Sequence, residues 1–197
     1  MGKGNPPKTM GHLLFRAKSE IRIRPKPPPL GFRLPQGGVT FNIRDVSYPI
    51  DPAAAEAAIM DSFTVWEDAT GASLFSINPS GGASGPAADG NNSVGWVKIV
   101  PRSVLAATWI WTENGVVSDV DVFFNQFHKW ANLSVCDEVG RFDVGNVGTH
   151  EVGHVIGLAH LEDANAMATM FPSAPKGEVK KRTLTTGDIA GATAVLP

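Results

Sequence analysis

One cysteine, Cys136, stands in 197 residues. That scarcity excludes an internal disulfide framework and any cysteine-rich zinc finger. Tyrosine is as rare, with Tyr48 alone. No apolar run approaches the ~18 residues that read as a membrane-spanning helix. The opening residues Met1 to Ser19 are basic but lack the continuous apolar core of a secretory signal. No internal repeat is visible. The length fits one domain of roughly 150 residues with an appendage.

Charge is spread unevenly. Between Met1 and Leu34 eight Lys or Arg face one acid, Glu20, so the segment carries +7 and the remainder −9 with His neutral. Such a leader could bind nucleic acid or an anionic surface, or lie across the protein's own acidic body. Pro25, Pro27, Pro28 and Pro29 predict an extended, polyproline-like linker. The chain therefore divides into a basic leader over 1–36, flexible or acting as a pro-segment, and a folded domain over 37–197.

The domain reads as mixed strands and helices. Val39 to Ile43 has strand composition. Asp51-Pro52 is a helix start, and Ala55, Ile59, Phe63 and Trp66 follow near helical spacing up to Gly71. Leu74 to Ile77 predicts a strand, and the Gly, Ser, Pro and Asn of Asn78 to Ser93 a long loop. Val94 to Val100, Val104 to Trp111 and Val117 to Phe124 predict three more strands. The five tryptophans are expected to pack the core or its rim.

His150-Glu151-Val152-Gly153-His154-Val155-Ile156-Gly157-Leu158-Ala159-His160 carries the chemistry. His150 and His154, four residues apart on a helix, project from one face and can share a metal ion. Gly157 can take positive φ, end the helix and swing His160 round as a third nitrogen ligand. Three neutral imidazoles leave the fourth position of a tetrahedral zinc site open to water. Glu151, not needed as a ligand, stands where it can take a proton from that water. By composition such a pattern arises by chance on the order of once in 10^5 sequences. His128 and His12 are isolated and read as ordinary surface or core residues.

The His150 to His160 segment resembles the long zinc signature of the metzincin metallopeptidases at every fixed position. Ala168-Thr169-Met170-Phe171-Pro172 looks like the Met-turn beneath the zinc of that clan. Within it the chain is most similar to the compact bacterial matrixins, through Gly153, Gly157 and the tail Arg182-Thr183-Leu184 to Gly191. Asp89-Gly90-Asn91-Asn92, Leu105 to Thr108 and Asp119 to Asn125 resemble the matrixin sheet. Departures are Leu161 in place of a small hydroxyl residue, Gly187 in place of the first of two acids, and a leader without the latency cysteine of animal matrixins.

The resemblance implies an α+β zincin domain. Its twisted, mostly parallel five-stranded sheet has an antiparallel edge strand, a backing helix from Asp51, a zinc helix from about Asp143 and a C-terminal helix from about Thr186. It implies a zinc endopeptidase in which Glu151 is general base toward a zinc-bound water, with His150, His154 and His160 as ligands and Met170 beneath them. An extended peptide would dock by strand addition along the edge strand Val104 to Ile110, touching Leu105 and Ala106. Pro172 and Ala174 would border the pocket beside the scissile bond; Ala174 replaces a common Tyr and widens it for a medium-to-large apolar side chain. Asp89, Asn91 and Asn92 could offer oxygens to a structural calcium; the alternative for them is a solvated turn. The expected protein is a secreted monomer with peptide or protein substrates and neither nucleic acid nor membrane as partner. The alternative is a non-catalytic, zinc-stabilised module that recruits an anionic partner through the leader.

Overall fold

A computed structural model describes the main chain of residues 9–14 and all of residues 26–133, 140–161 and 167–196. In chain order the elements are β1 (Thr9–Leu14), β2 (Val39–Ile43), α1 (Pro52–Thr70), β3 (Phe75–Asn78), β4 (Ser93–Val97), β5 (Ala106–Glu113), β6 (Val116–Asn125), β7 (Trp130–Ala131), β8 (Phe142–Asp143), α2 (Val144–Val155), a 3-10 turn (Lys180–Arg182) and α3 (Thr186–Val195). Glu20 and Cys136 lie outside the described residues.

Five strands make the expected mixed sheet. β2 pairs in parallel with β3 and β4, β4 pairs in parallel with β6, and β5 returns antiparallel along β6. The β5–β6 hairpin turns at Asn114 and Gly115, whose φ values of 51° and 76° suit the primed turns that favour Asn-Gly. β1 adds a sixth strand, antiparallel on the outside of β5. Within the five-stranded sheet β5 is the expected antiparallel edge strand, and β1 pairs along its outer side. Partners so far apart in the chain leave no local signal.

Helix α1 begins and ends on local chemistry. Asp51 accepts from Ala54 N at 3.0 Å, and Gly71 closes the helix at φ 68°. Its buried face, Ala55, Ala58, Ile59, Ser62, Phe63 and Trp66, keeps the spacing of an amphipathic stripe. Phe63 meets Phe41 at 4.9 Å between ring centres, and Trp96 stacks on Phe124 at 5.1 Å. Trp66, Trp96 and Trp130 are fully buried, whereas Trp109 and Trp111 are only partly covered.

Helix α2 is unusual in being wholly buried while holding glycines, each of which costs a helix about 1 kcal/mol relative to alanine. Packing offsets that cost. A Cβ on Gly148 would collide with Ser62 Oγ of α1, and one on Gly153 with Met170 Sδ. Asp143 caps α2 by accepting from Asn146 N at 2.7 Å, and its carboxylate is clamped by Arg182 through Nε at 2.7 Å and Nη2 at 2.6 Å.

Main-chain hydrogen bonds dock the stretch from Pro28 to Arg33 on the domain. Leu30 N donates to Gly157 O at 2.7 Å, and Ala159 N donates to Pro28 O at 2.8 Å. Farther on, Arg33 N donates to Gly115 O and Val117 N to Arg33 O, each at 3.0 Å. Phe32 and Leu34 are buried in the main core. Their side chains and this ladder override the linker character of the neighbouring prolines.

Candidate active site

The last turn of α2 and the loop after it bring three imidazoles together. α2 presents His150 and His154 four residues apart on one face, and Gly157 at φ 105° turns the chain so that His160 comes back to them. One nitrogen of each ring lies within 4.8 Å of the other two. His154 Nε2 and His160 Nε2 are 3.1 Å apart. Two nitrogens on a tetrahedral zinc, each at about 2.05 Å, stand about 3.3 Å apart, so the spacing fits. Among the described residues this is the only cluster of three or more His, Cys, Asp or Glu whose ligand atoms converge.

The ring protons are set by carbonyls. His150 Nδ1 is 2.7 Å from Thr169 O, and His154 Nδ1 is 2.7 Å from Leu158 O. A carbonyl only accepts, so each Nδ1 carries the hydrogen and each Nε2 presents a lone pair. Such outer partners orient metal-binding histidines and fix their tautomer. Burial also keeps the rings neutral: it lowers His150 well below its ordinary value, His154 to about 3 and His160 to about 4. The neighbouring rings add to the effect on His150 and His154, and the Lys181 ammonium to that on His150 and His160. Neutral, oriented, convergent nitrogens are the donor set zinc requires.

Glu151 is fully buried next to the triad. Thr108 of β5 donates its hydroxyl to Glu151 Oε2 at 2.7 Å, while Oε1 has no partner among the described residues. Burial pushes the carboxyl up to about 8, and the Thr108 hydroxyl opposes that rise. An anion here needs a positive charge beside it, and a cation on the three imidazoles supplies one.

Beneath the triad lies a turn closed by Phe171 N donating to Ala168 O at 3.1 Å. Met170 is fully buried there, with its sulfur in the hollow left by Gly153. Asp188 of α3 holds the turn: Oδ2 accepts from Thr169 N at 2.9 Å and Oδ1 from Met170 N at 3.3 Å. Pro172 and Ala174, both half-buried, follow the turn, and Leu105 and Ala106 are buried at the start of β5.

In the loop read as a calcium site, side-chain oxygens accept hydrogen bonds from the loop itself and from β2 and β6. Asp89 Oδ1 accepts from Asn91 N at 2.9 Å, Asn91 Oδ1 from Asn42 Nδ2 at 2.7 Å, and Asn92 Oδ1 from Val120 N at 2.9 Å. Below the loop, buried Asp121 accepts from Ser93 N at 2.7 Å and Ala87 N at 3.0 Å. Burial raises its carboxyl to about 7 against those bonds, with Asp119 and Asp89 adding repulsion.

Several residues around the site carried no legible role in the sequence. Thr108 looks like any strand threonine, and Lys181 like part of a solvated basic run. Lys181 is instead fully buried, with Nζ 3.5 Å from Glu178 Oε1 and 5.3 Å from the Phe171 ring centre, and burial lowers it to about 8. Asp188 anchors the turn from α3, across a separation that leaves no local signal. His128 is part-buried against Trp130 and Phe142 with Nε2 2.9 Å from Val104 O, consistent with an ordinary packing residue.

A mixed five-stranded sheet with one antiparallel edge strand carries a buried helix with two histidines and a glutamate, and a third histidine after a glycine turn completes a domain that could hold a metal ion beside a buried carboxylate. The matrixin sequence profile matches residues 34–196, and the chain belongs to the matrixin family. It is 28% identical over 162 residues to human neutrophil collagenase, a match covering 80% of this chain and 32% of that protein. The chain thus spans about a third of that relative's length. No helix among the described residues is long and apolar enough to cross a membrane.

Proposed function

We propose that the chain is a zinc-dependent endopeptidase acting outside the cell on extended peptide or protein substrates. One observation carries the reading: three neutral imidazole nitrogens converge beside a buried carboxylate that has one oxygen pinned and one uncommitted. Zinc held by His150, His154 and His160 supplies Lewis acidity toward a water and toward the peptide carbonyl. Glu151 takes a proton from the attacking water through Oε1 and returns it to the leaving amine. Thr108 keeps Oε2 occupied, which orients the carboxylate for both transfers. His150 and His154 hold their donor atoms in place through the carbonyls of Thr169 and Leu158, and Met170 supports the floor as a Met-turn.

Substrate selection follows from the walls. The backbone of β5, beginning at Leu105 and Ala106, pairs with the peptide, and Pro172 and Ala174 border the side-chain pocket on the carboxyl side of the cut. A small Ala174 leaves room for a medium-to-large apolar residue there.

Glu151→Ala tests the assignment. The variant is expected to bind zinc as the parent does and to lose about 10^3-fold in kcat/KM, within the range that positioned acid–base catalysis supplies. Hydrolysis of a quenched-fluorescent peptide library, with zinc content measured alongside, reads both. A zinc-loaded variant as active as the parent overturns the assignment.

A further inference from the structure

A cavity of about 310 Å³ opens between α1 and the first half of α2. It shares no residue with the histidine triad, with Glu151 or with the walls assigned to the peptide. Its volume falls at the lower end of the range of small-ligand sites. Nothing in the endopeptidase reading uses it.

The hydroxyls that line it spend their hydrogens on their own helices. Ser62 Oγ donates to Ala58 O at 2.7 Å, Thr64 Oγ1 to Met60 O at 3.1 Å, and Thr149 Oγ1 to Gly145 O at 2.8 Å. A hydroxyl has one hydrogen and two lone pairs. Once the hydrogen is bonded to the carbonyl four residues back, only acceptor capacity is left for a ligand.

The charged groups agree with the hydroxyls. Asp61 and Asp68 of α1 line the cavity and are exposed. Neither is engaged in an ion pair among the described residues. Arg182, the cation in the wall, is committed to other groups. Its Nε and Nη2 donate to Asp143 at 2.7 and 2.6 Å, and Nη2 also donates to Asn132 Oδ1 at 2.7 Å. That pair is neutral as a unit, so the two aspartates set the sign of the cavity. A ligand therefore meets acceptors and negative charge, and must bring donors and positive charge.

Helix geometry sets its shape. Asp61 and Asp68 are seven residues apart, almost two full turns, so they stand on one stripe of α1 about 10 Å apart along its axis. Oxygens that share one Ca2+ or Mg2+ lie within about 5 Å of one another, so a single metal ion does not bridge them. Val65, on the same stripe between the two acids, also lines the cavity and offers an apolar stretch to methylene groups.

We propose that the groove between α1 and α2 is a second binding site, for a linear cation with two ammonium or guanidinium groups about 10 Å apart. A free polyamine and neighbouring Lys or Arg side chains of a protein present that same chemistry. The site stands independently of the endopeptidase reading and adds to it a place where a cation is held away from the triad.

Titration of the full chain with spermidine, and separately with acetylated Arg-Gly-Arg amide, followed by two-dimensional amide NMR, tests this. Ligands of this size are expected to bind at about 1 mM, with the shifts centred on residues 61–68 and 145–149. Asp61→Asn and Asp68→Asn should each weaken binding about 3-fold and the double variant about 10-fold, and added salt should act in the same direction. Butylamine, with a single charge, should bind about 10-fold more weakly than spermidine. Binding of spermidine alone identifies a free polyamine as the occupant, and binding of the peptide at equal or higher affinity identifies basic side chains. The double variant should keep the parent's Tm, zinc content and rate of peptide hydrolysis, so the result does not depend on the triad. No shifts in this groove up to about 20 mM of either ligand, or equal affinity in the double variant, overturns the proposal.

Discussion

Asp188 is where a single substitution reaches both stability and metal binding. The side chain is fully buried, and its Oδ2 accepts from Thr169 N at 2.9 Å, Thr185 N at 2.9 Å and Thr185 Oγ1 at 2.6 Å. Its Oδ1 accepts from Met170 N at 3.3 Å. Asp188→Ala strips partners from two amides of buried residues, Thr169 and Met170. Each unpaired buried donor costs about 1–3 kcal/mol, and losing the capping box of α3 adds about 1 kcal/mol. Water entering the vacated space recovers part of this, leaving an expected loss of about 4 kcal/mol. That is a large share of the roughly 5–15 kcal/mol by which domains are stable. The same turn holds His150, because Thr169 O receives its Nδ1 hydrogen. Disturbing such an outer partner typically costs about 10–100-fold in metal affinity. Urea unfolding followed by tryptophan fluorescence reads the first effect, and zinc competition against a chelator the second. A variant within 1 kcal/mol of the parent and unchanged in zinc affinity would refute the role assigned to this carboxylate.

Other consequences are equally direct. Gly153→Ala gains about 1 kcal/mol of helix propensity but sets a Cβ against Met170 Sδ and 3.0 Å from Trp66 Cζ2. Overpacking of that kind costs about 1–3 kcal/mol, so a net loss of about 1 kcal/mol in urea unfolding is expected, and a stabilised variant would show that the hollow is roomier than drawn. Asp121, raised by burial from 3.8 to about 7, contributes stability while protonated. That contribution is complete below the unfolded value and is lost as pH rises through about 7, up to about 4 kcal/mol in all. Stability measured from pH 4 to 8 should therefore fall more steeply in the parent than in Asp121→Asn, and identical slopes would refute it. Chelating zinc should lower Tm by the binding linkage, and adding zinc back should restore it; a Tm indifferent to both would count against the triad as a metal site.

Much of the fold and the centre of the site was legible because it depends on neighbours in the chain. The cap at Asp51, the stop at Gly71, the shared face of His150 and His154 and the turn at Gly157 all follow from helix geometry and the conformational freedom of glycine. The supporting residues were not legible, because each acts across a long separation. Thr108 reaches Glu151 from β5, Asp188 reaches the Met170 turn from α3, and buried Lys181 places its ammonium 5.3 Å from the Phe171 ring of that turn.

The leader shows the same division. Its prolines favour an extended path, but composition says nothing of what such a chain lies against. Buried Phe32 and Leu34 and the hydrogen bonds of Pro28 and Leu30 dock it beside the loop between His154 and His160, and β1 adds a strand to the sheet. Local periodicity alone makes legible the shared face of His150 and His154, the carboxylate of Glu151 beside them and the helices that carry them. Closure of the chain is what brings the Thr108 hydroxyl to Glu151, the Asp188 carboxylate to the Met170 turn and β1 to β5. Hydrogen bonds and ladders between distant segments exist only once the chain has closed on itself.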